Sequence, residues 1–146
     1  MRFWDSSAIV PMLSRQAASE VARDLLRVDD EVTVWWGTWA ECAVAISRLK
    51  RDGKLDEETE DIARTRLDRL ADEWAEIEPM NDLRILASLV SKDHPLKAAD
   101  CLQLASALRW CEGEAASAGF VCLDDRLRKT VRDEGFDVLP GSLDFG

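Results

Sequence analysis

An α/β fold with a parallel sheet covered by helices on both faces is what this sequence predicts, and three observations predict it. Short β-branched or aromatic runs alternate with longer segments of helical apolar spacing from one end to the other. No internal repeat occurs, and no linker is long enough to divide the chain, so residues 1–146 read as one domain. The chain is 47% apolar over 146 residues, enough to bury a core without disulfides.

The elements follow in order. Residues 2–4 read as a buried strand ending at Asp5, with Ser6 or Ser7 capping a short helix from about Ala8. Pro11 falls near that helix's first turn and should limit or bend it. Residues 17–28 carry Ala17, Val21, Ala22, Leu25, Leu26 and Val28 at helical spacing, and Asp29-Asp30 ends the run. Val32 to Trp36 is β-branched and aromatic, hence strand. Thr38-Trp39-Ala40-Glu41 has the spacing of a capping box and opens a helix that stops at Gly53. A second helix spans about Asp56 to Asp72, with Ile62, Leu67 and Leu70 as its apolar stripe. Ala75 to Glu78 alternates as a short strand. Residues 82–91 and 96–110 are helical, and Gly113 to Gly119 is a loop of small residues. Phe120 to Leu123 is a strand, a helix runs from about Asp125 to Glu134, and Phe136 to Leu139 is a last strand before Pro140-Gly141.

Composition excludes several classes. No apolar run reaches the length of a membrane span, and an acid at position 5 is too early for a secretory signal, so a cytoplasmic protein is expected. Cys42, Cys101, Cys111 and Cys122 form no CxxC pair and His94 is the sole histidine, which leaves no zinc set. No glycine-rich phosphate loop occurs. The net charge of −10 argues against simple electrostatic adhesion to nucleic acid, and suits a basic partner protein or a pocket whose sign metal ions reverse.

Folds of this class bind ligands at the carboxyl ends of strands. Asp5 and Asp124 fall at two such ends, and a helix following a strand places Glu41 near the same edge. Asp100 lies inside the 96–110 helix among Ala98, Ala99, Cys101 and Leu102, where an acid is costly unless paired or metal-bound. Each acid also has a structural reading. Asp5 and Asp124 suit helix N-caps, Asp125 is an equal choice of cap to Asp124, and Glu41 suits its capping box. Gathered together, four carboxylates need a cation to stay ionised, and oxygen-only ligands suit magnesium or manganese. That combination points to metal-dependent phosphodiester hydrolysis. Trp36 and Trp39 flank the site and offer faces for stacking a base, or else pack in the core.

In this order the motifs resemble those of the PIN-domain ribonucleases, most closely the VapC toxins of toxin–antitoxin pairs. The residues that carry the resemblance are Asp5-Ser6-Ser7-Ala8-Ile9-Val10, Thr38 to Glu41, Leu96-Lys97-Ala98-Ala99-Asp100-Cys101-Leu102-Gln103, and Phe120 to Leu127 with Asp124 after the strand. Gln103 departs from the pattern, since many relatives have histidine there. The resemblance implies a three-layer α/β/α sandwich around about five parallel strands. It also implies Asp5, Glu41, Asp100 and Asp124 as the catalytic, metal-holding acids, Mg2+ or Mn2+ as cofactor, and RNA as substrate. A cognate antitoxin with a basic, arginine-bearing tail and a homodimer are the implied partners. Arg48, Lys50, Arg51 and Lys54 would then guide RNA backbone, or form a solvated helix end. Two rivals remain: a non-catalytic PIN-like binding module, and a phosphoacceptor receiver domain. The receiver wants an acid pair after the first strand and a lysine near the last, and neither is present.

Overall fold

The computed structural model describes residues 1–145. The chain runs β1 (Arg2–Trp4), α1 (Ser6–Leu13), α2 (Ser19–Val28), β2 (Val32–Trp35), α3 (Thr38–Arg51), α4 (Glu57–Glu73), β3 (Ala75–Ile77) and α5 (Asn81–Asp93). It continues through α6 (Ala98–Cys111), a 3-10 turn at Ala115–Ser117, β4 (Gly119–Val121), α7 (Asp125–Asp133) and β5 (Asp137–Leu139). The five strands form one parallel sheet in the order β3-β2-β1-β4-β5.

Strand alternation divides the core between the two faces. Phe3, Trp35, Phe120 and Val138 turn to one face and pack with Leu83 of α5, Leu104 of α6 and Leu127 of α7. Trp4, Val34 and Val121 turn to the other and pack with Ile9 of α1, Ile46 of α3 and Leu67 of α4. Helices therefore cover the sheet on both sides. Among the described residues, no helix is long and apolar enough to cross a membrane.

Several local expectations need correction. Asp5 itself caps α1, its side chain accepting the Ser7 N–H, so the helix begins at Ser6 rather than near Ala8. Pro11 sits inside α1 and not in its first turn, and the helix closes two residues later. The core-facing stripe of α4 takes Ala63 in place of Ile62, which is 42% exposed, while Leu67 is buried and Leu70 packs against the core as expected. β2 ends at Trp35, which leaves Trp36 exposed at the sheet edge.

The strand order decides where a ligand can bind. From β1 the chain steps outward to β2 and β3, then returns to the other side of β1 for β4 and β5. The order reverses between β1 and β4, and in open parallel sheets such a reversal opens a crevice at the carboxyl ends of the strands.

Candidate metal centre

Asp5 lies at that crevice. Its backbone N–H donates to Val121 O at 2.9 Å, continuing the β1–β4 pairing past the end of β1. Its side chain folds back so that Oδ2 accepts the Ser7 N–H at 3.1 Å, and the residue is 4% exposed. Burial pushes this carboxyl up to about 6; bonds from Ser7 oppose the rise, and the charges of Asp100 and Asp124 add to it. The Ser7 hydroxyl oxygen accepts the Leu123 N–H at 2.9 Å, which ties the start of α1 to the segment after β4.

Glu41 is not used as the capping box anticipates. The cap of α3 is Gly37, whose carbonyl accepts the Glu41 N–H at 3.1 Å, and Thr38 is already helical. Gly37 is required by close packing, since a Cβ there would stand 2.4 Å from Trp35 Nε1. The Glu41 carboxylate is thereby free of the helix end. Its Oε1 accepts a hydrogen from Gln103 Nε2 at 2.8 Å, and its Oε2 stands 3.5 Å from the Ser6 hydroxyl. Burial, then the neighbouring charge of Asp5, pushes Glu41 up to about 7; Gln103 and Ser6 pull the other way, and Asp100 adds to the rise.

Asp100 occupies the first turn of α6 and is half-buried. Its carboxyl is raised by burial and by Asp124, against the opposing charges of Lys97 and Arg126. Asp124 caps α7 with Oδ1 accepting the Leu127 N–H at 3.1 Å, and remains exposed. Asp125 is the first residue of α7, and its charge acts on Arg128 instead.

The fold thus brings carboxylates from four separate elements into electrostatic reach. Asp5 feels Asp100 and Asp124, Glu41 feels Asp5 and Asp100, and Asp100 feels Asp124. Such mutual repulsion among partly buried acids is the charge environment a cation relieves. The donor set is all oxygen, which fits a hard divalent ion. Among the described residues, no three His, Cys, Asp or Glu side chains gather closely enough to enclose an ion by themselves. Magnesium accepts that openness, because it keeps several waters and commonly takes only one or two carboxylates. A soft-metal set is not assembled: the four cysteines are free, and His94 pairs with Glu134 at 2.9 Å.

Two neighbours of the site carry no catalytic signature in the sequence. Gln103 is fully buried beneath Glu41. Arg128 is buried and donates to Cys122 O at 2.9 Å and Pro140 O at 2.7 Å, bracing the turn that presents Asp124. The signals for Gln103 were its departure from the family pattern and an amide among apolar residues, while Arg128, one charge among several in Asp125-Arg126-Leu127-Arg128-Lys129, carried none. Trp36 and Trp39 are 54% and 43% exposed, and Trp39 donates to Asp68 at 3.3 Å. Of the basic run at the end of α3, Lys50 is engaged by Glu60 at 3.4 Å.

Comparison with known proteins agrees with this architecture. The model of the PIN domain family matches residues 2–133. Comparison with curated protein sequences gave no match. Among solved structures, FitAcB from Neisseria gonorrhoeae is similar with a TM-score of 0.65 at 17% identity, over 94% of this chain and 96% of that one. A toxin–antitoxin complex from Klebsiella pneumoniae is similar with a TM-score of 0.60 at 13% identity, over 84% of this chain and 85% of that one. At such identities these two likenesses bear on the fold.

Proposed function

This chain belongs to the PIN-domain family, and from that premise we propose that it is a divalent-metal-dependent endoribonuclease, the toxin of a toxin–antitoxin pair acting in the cytoplasm. The observation that carries the proposal is the convergence of Asp5, Glu41, Asp100 and Asp124 beside the β1–β4 reversal. Members of the family are generally nucleases, and one of the similar structures is itself a toxin–antitoxin complex.

In this reading Asp5 and Asp100 hold the ion most directly, with Glu41 and Asp124 completing the acidic pocket. Mg2+ or Mn2+ bound there would neutralise the carboxylates and supply Lewis acidity toward the scissile phosphate. Ser7 keeps the Asp5 carboxylate aimed by donating its N–H to Oδ2. Glu41, the pocket acid whose Oε2 is left towards Ser6 and not held most directly by the ion, is placed to accept the proton of the attacking water. The exposed face of Trp36 stacks a base of the single-stranded substrate. The partner is an antitoxin whose arginine-bearing tail pairs with the acids and plugs the pocket, and the toxin itself is a homodimer.

Purified protein should cleave single-stranded RNA with manganese or magnesium and stop when a chelator is added. Its expression should arrest growth, with rescue by the protein of an adjacent reading frame. Cleavage undiminished in excess chelator sinks the nuclease mechanism. Active protein that is harmless on expression and binds no neighbour-encoded protein sinks the toxin role alone.

A further inference from the structure

Gln103 is fully buried, yet its side chain faces the acids rather than the core. It sits three residues after Asp100 on α6, so the two share a helix face. From there its amide crosses to α3. Nε2 donates to Thr38 Oγ1 at 3.0 Å and to Glu41 Oε1 at 2.8 Å. Its Oε1 has no hydrogen-bond partner among the described residues.

An unpartnered buried acceptor is costly, and an apolar side chain of similar volume would avoid the cost. Turning the amide over would set its carbonyl oxygen against the Glu41 carboxylate. The orientation in the structure is the one in which both hydrogens are spent on α3 and a carboxylate receives one of them. We infer that Gln103 is a positioning residue: it clamps one oxygen of Glu41, leaves Oε2 facing Ser6 and the open crevice, and sets the separation between the acid of α3 and Asp100 of α6. The inference rests on the proposed role of Glu41 in holding the ion. Without the clamp, Glu41 regains its side-chain rotations, and an outer partner lost from a metal ligand weakens ion binding.

Manganese binding to the full chain, measured by calorimetry without RNA, tests this. Wild type should bind and Glu41→Gln should bind more weakly; failure of either overturns the site reading and this inference with it. With that reference in place, Gln103→Met, close in volume and lacking a donor, should lose about tenfold in manganese affinity. Gln103→His, which keeps a ring N–H at comparable reach, should recover most of the loss. Wild-type affinity in Gln103→Met, beside a weakened Glu41→Gln, overturns the inference and leaves the site reading standing. Equal losses in the methionine and histidine variants indicate packing and also overturn it. Should Gln103→Met fail to fold, Thr38→Val removes the second anchor of the amide, and unchanged affinity in that variant is the overturning result.

Discussion

Replacing Asp5 with asparagine should stabilise the metal-free protein while removing its activity. The Asp5 carboxyl is raised from 3.8 to about 6 in the fold, first by burial and then by the charges of Asp100 and Asp124. The difference, 6 − 3.8, is about 2 pH units, or about 3 kcal/mol between the two protonation states. The sign follows from which state binds the proton. Below the ordinary value both folded and unfolded chains are protonated and there is no penalty. As pH rises the unfolded chain ionises first and stability falls, until the folded carboxyl ionises near 6. Above that the penalty is complete and constant. Asparagine cannot ionise, and it caps a helix about as well as aspartate, so the bond from the Ser7 N–H is retained. In chelator at about pH 8 the variant should therefore exceed wild type by up to about 3 kcal/mol, and the gap should close towards about pH 4. Urea denaturation across that range reads the gap directly, with wild type and variant compared at each pH. An asparagine variant no more stable than wild type at the alkaline end would refute the argument, as would a gap that ignores pH. Adding Glu41→Gln should give less than its separate effect, because the Asp5 charge that Asp5→Asn removes is one cause of the rise at Glu41.

Further outcomes can be checked in the same preparations. Asp100→Asn should lose most RNA cleavage while remaining folded, judged by gel assay and circular dichroism. Asp124→Asn should reduce turnover more than Asp125→Asn, since only Asp124 shares the field of the other acids; the reverse order would move the fourth acid by one residue. Trp36→Ala should raise KM for RNA by roughly fivefold or more, the lower range of one lost base stack, while manganese affinity stays as it was. Arg128→Met should lower stability by about 1–3 kcal/mol in denaturant melts, because the buried Cys122 carbonyl and the half-buried Pro140 carbonyl lose their donor.

The parts of this molecule that depend on neighbouring residues could be read from the sequence. Val32 to Trp35 is apolar and β-branched on both faces because both are covered, and Phe3-Trp4 and Phe120-Val121 follow the same logic. Asp5 was legible as an acid at a strand end and Asp124 as a helix cap, because strand, turn and helix N-terminus are local events, although β4 closes at Val121 and Asp124 stands three residues beyond it rather than directly after the strand. The use of Glu41 was not. Thr38 and Glu41 have the spacing of a capping box whether or not one forms; Gly37 takes the cap instead, and Gln103, 62 residues away, engages the Glu41 carboxylate. The start of α1 was ambiguous for another reason. Asp5, Ser6 and Ser7 are all good caps, and the pairing of Asp5 N–H with Val121 O decides which one leaves the strand last. Ile62 is a third kind of miss. It is the larger hydrophobe, but Ala63 takes the buried position where α4 packs on α1 and α3.

The central place of β1 also sets the order in which the protein becomes complete. Phe3 pairs with Thr33 across 33 − 3 = 30 residues, and with Phe120 across 120 − 3 = 117. Closing the longer loop costs about 1 kcal/mol more chain entropy, so the β1–β2 side is expected to zip first and the β1–β4 side last. Pairing β1 with β2 alone leaves Asp124 unseated, because the turn that presents it follows β4. The acid set is therefore complete only once β1 and β4 have paired, the pairing of longest sequence separation in the sheet.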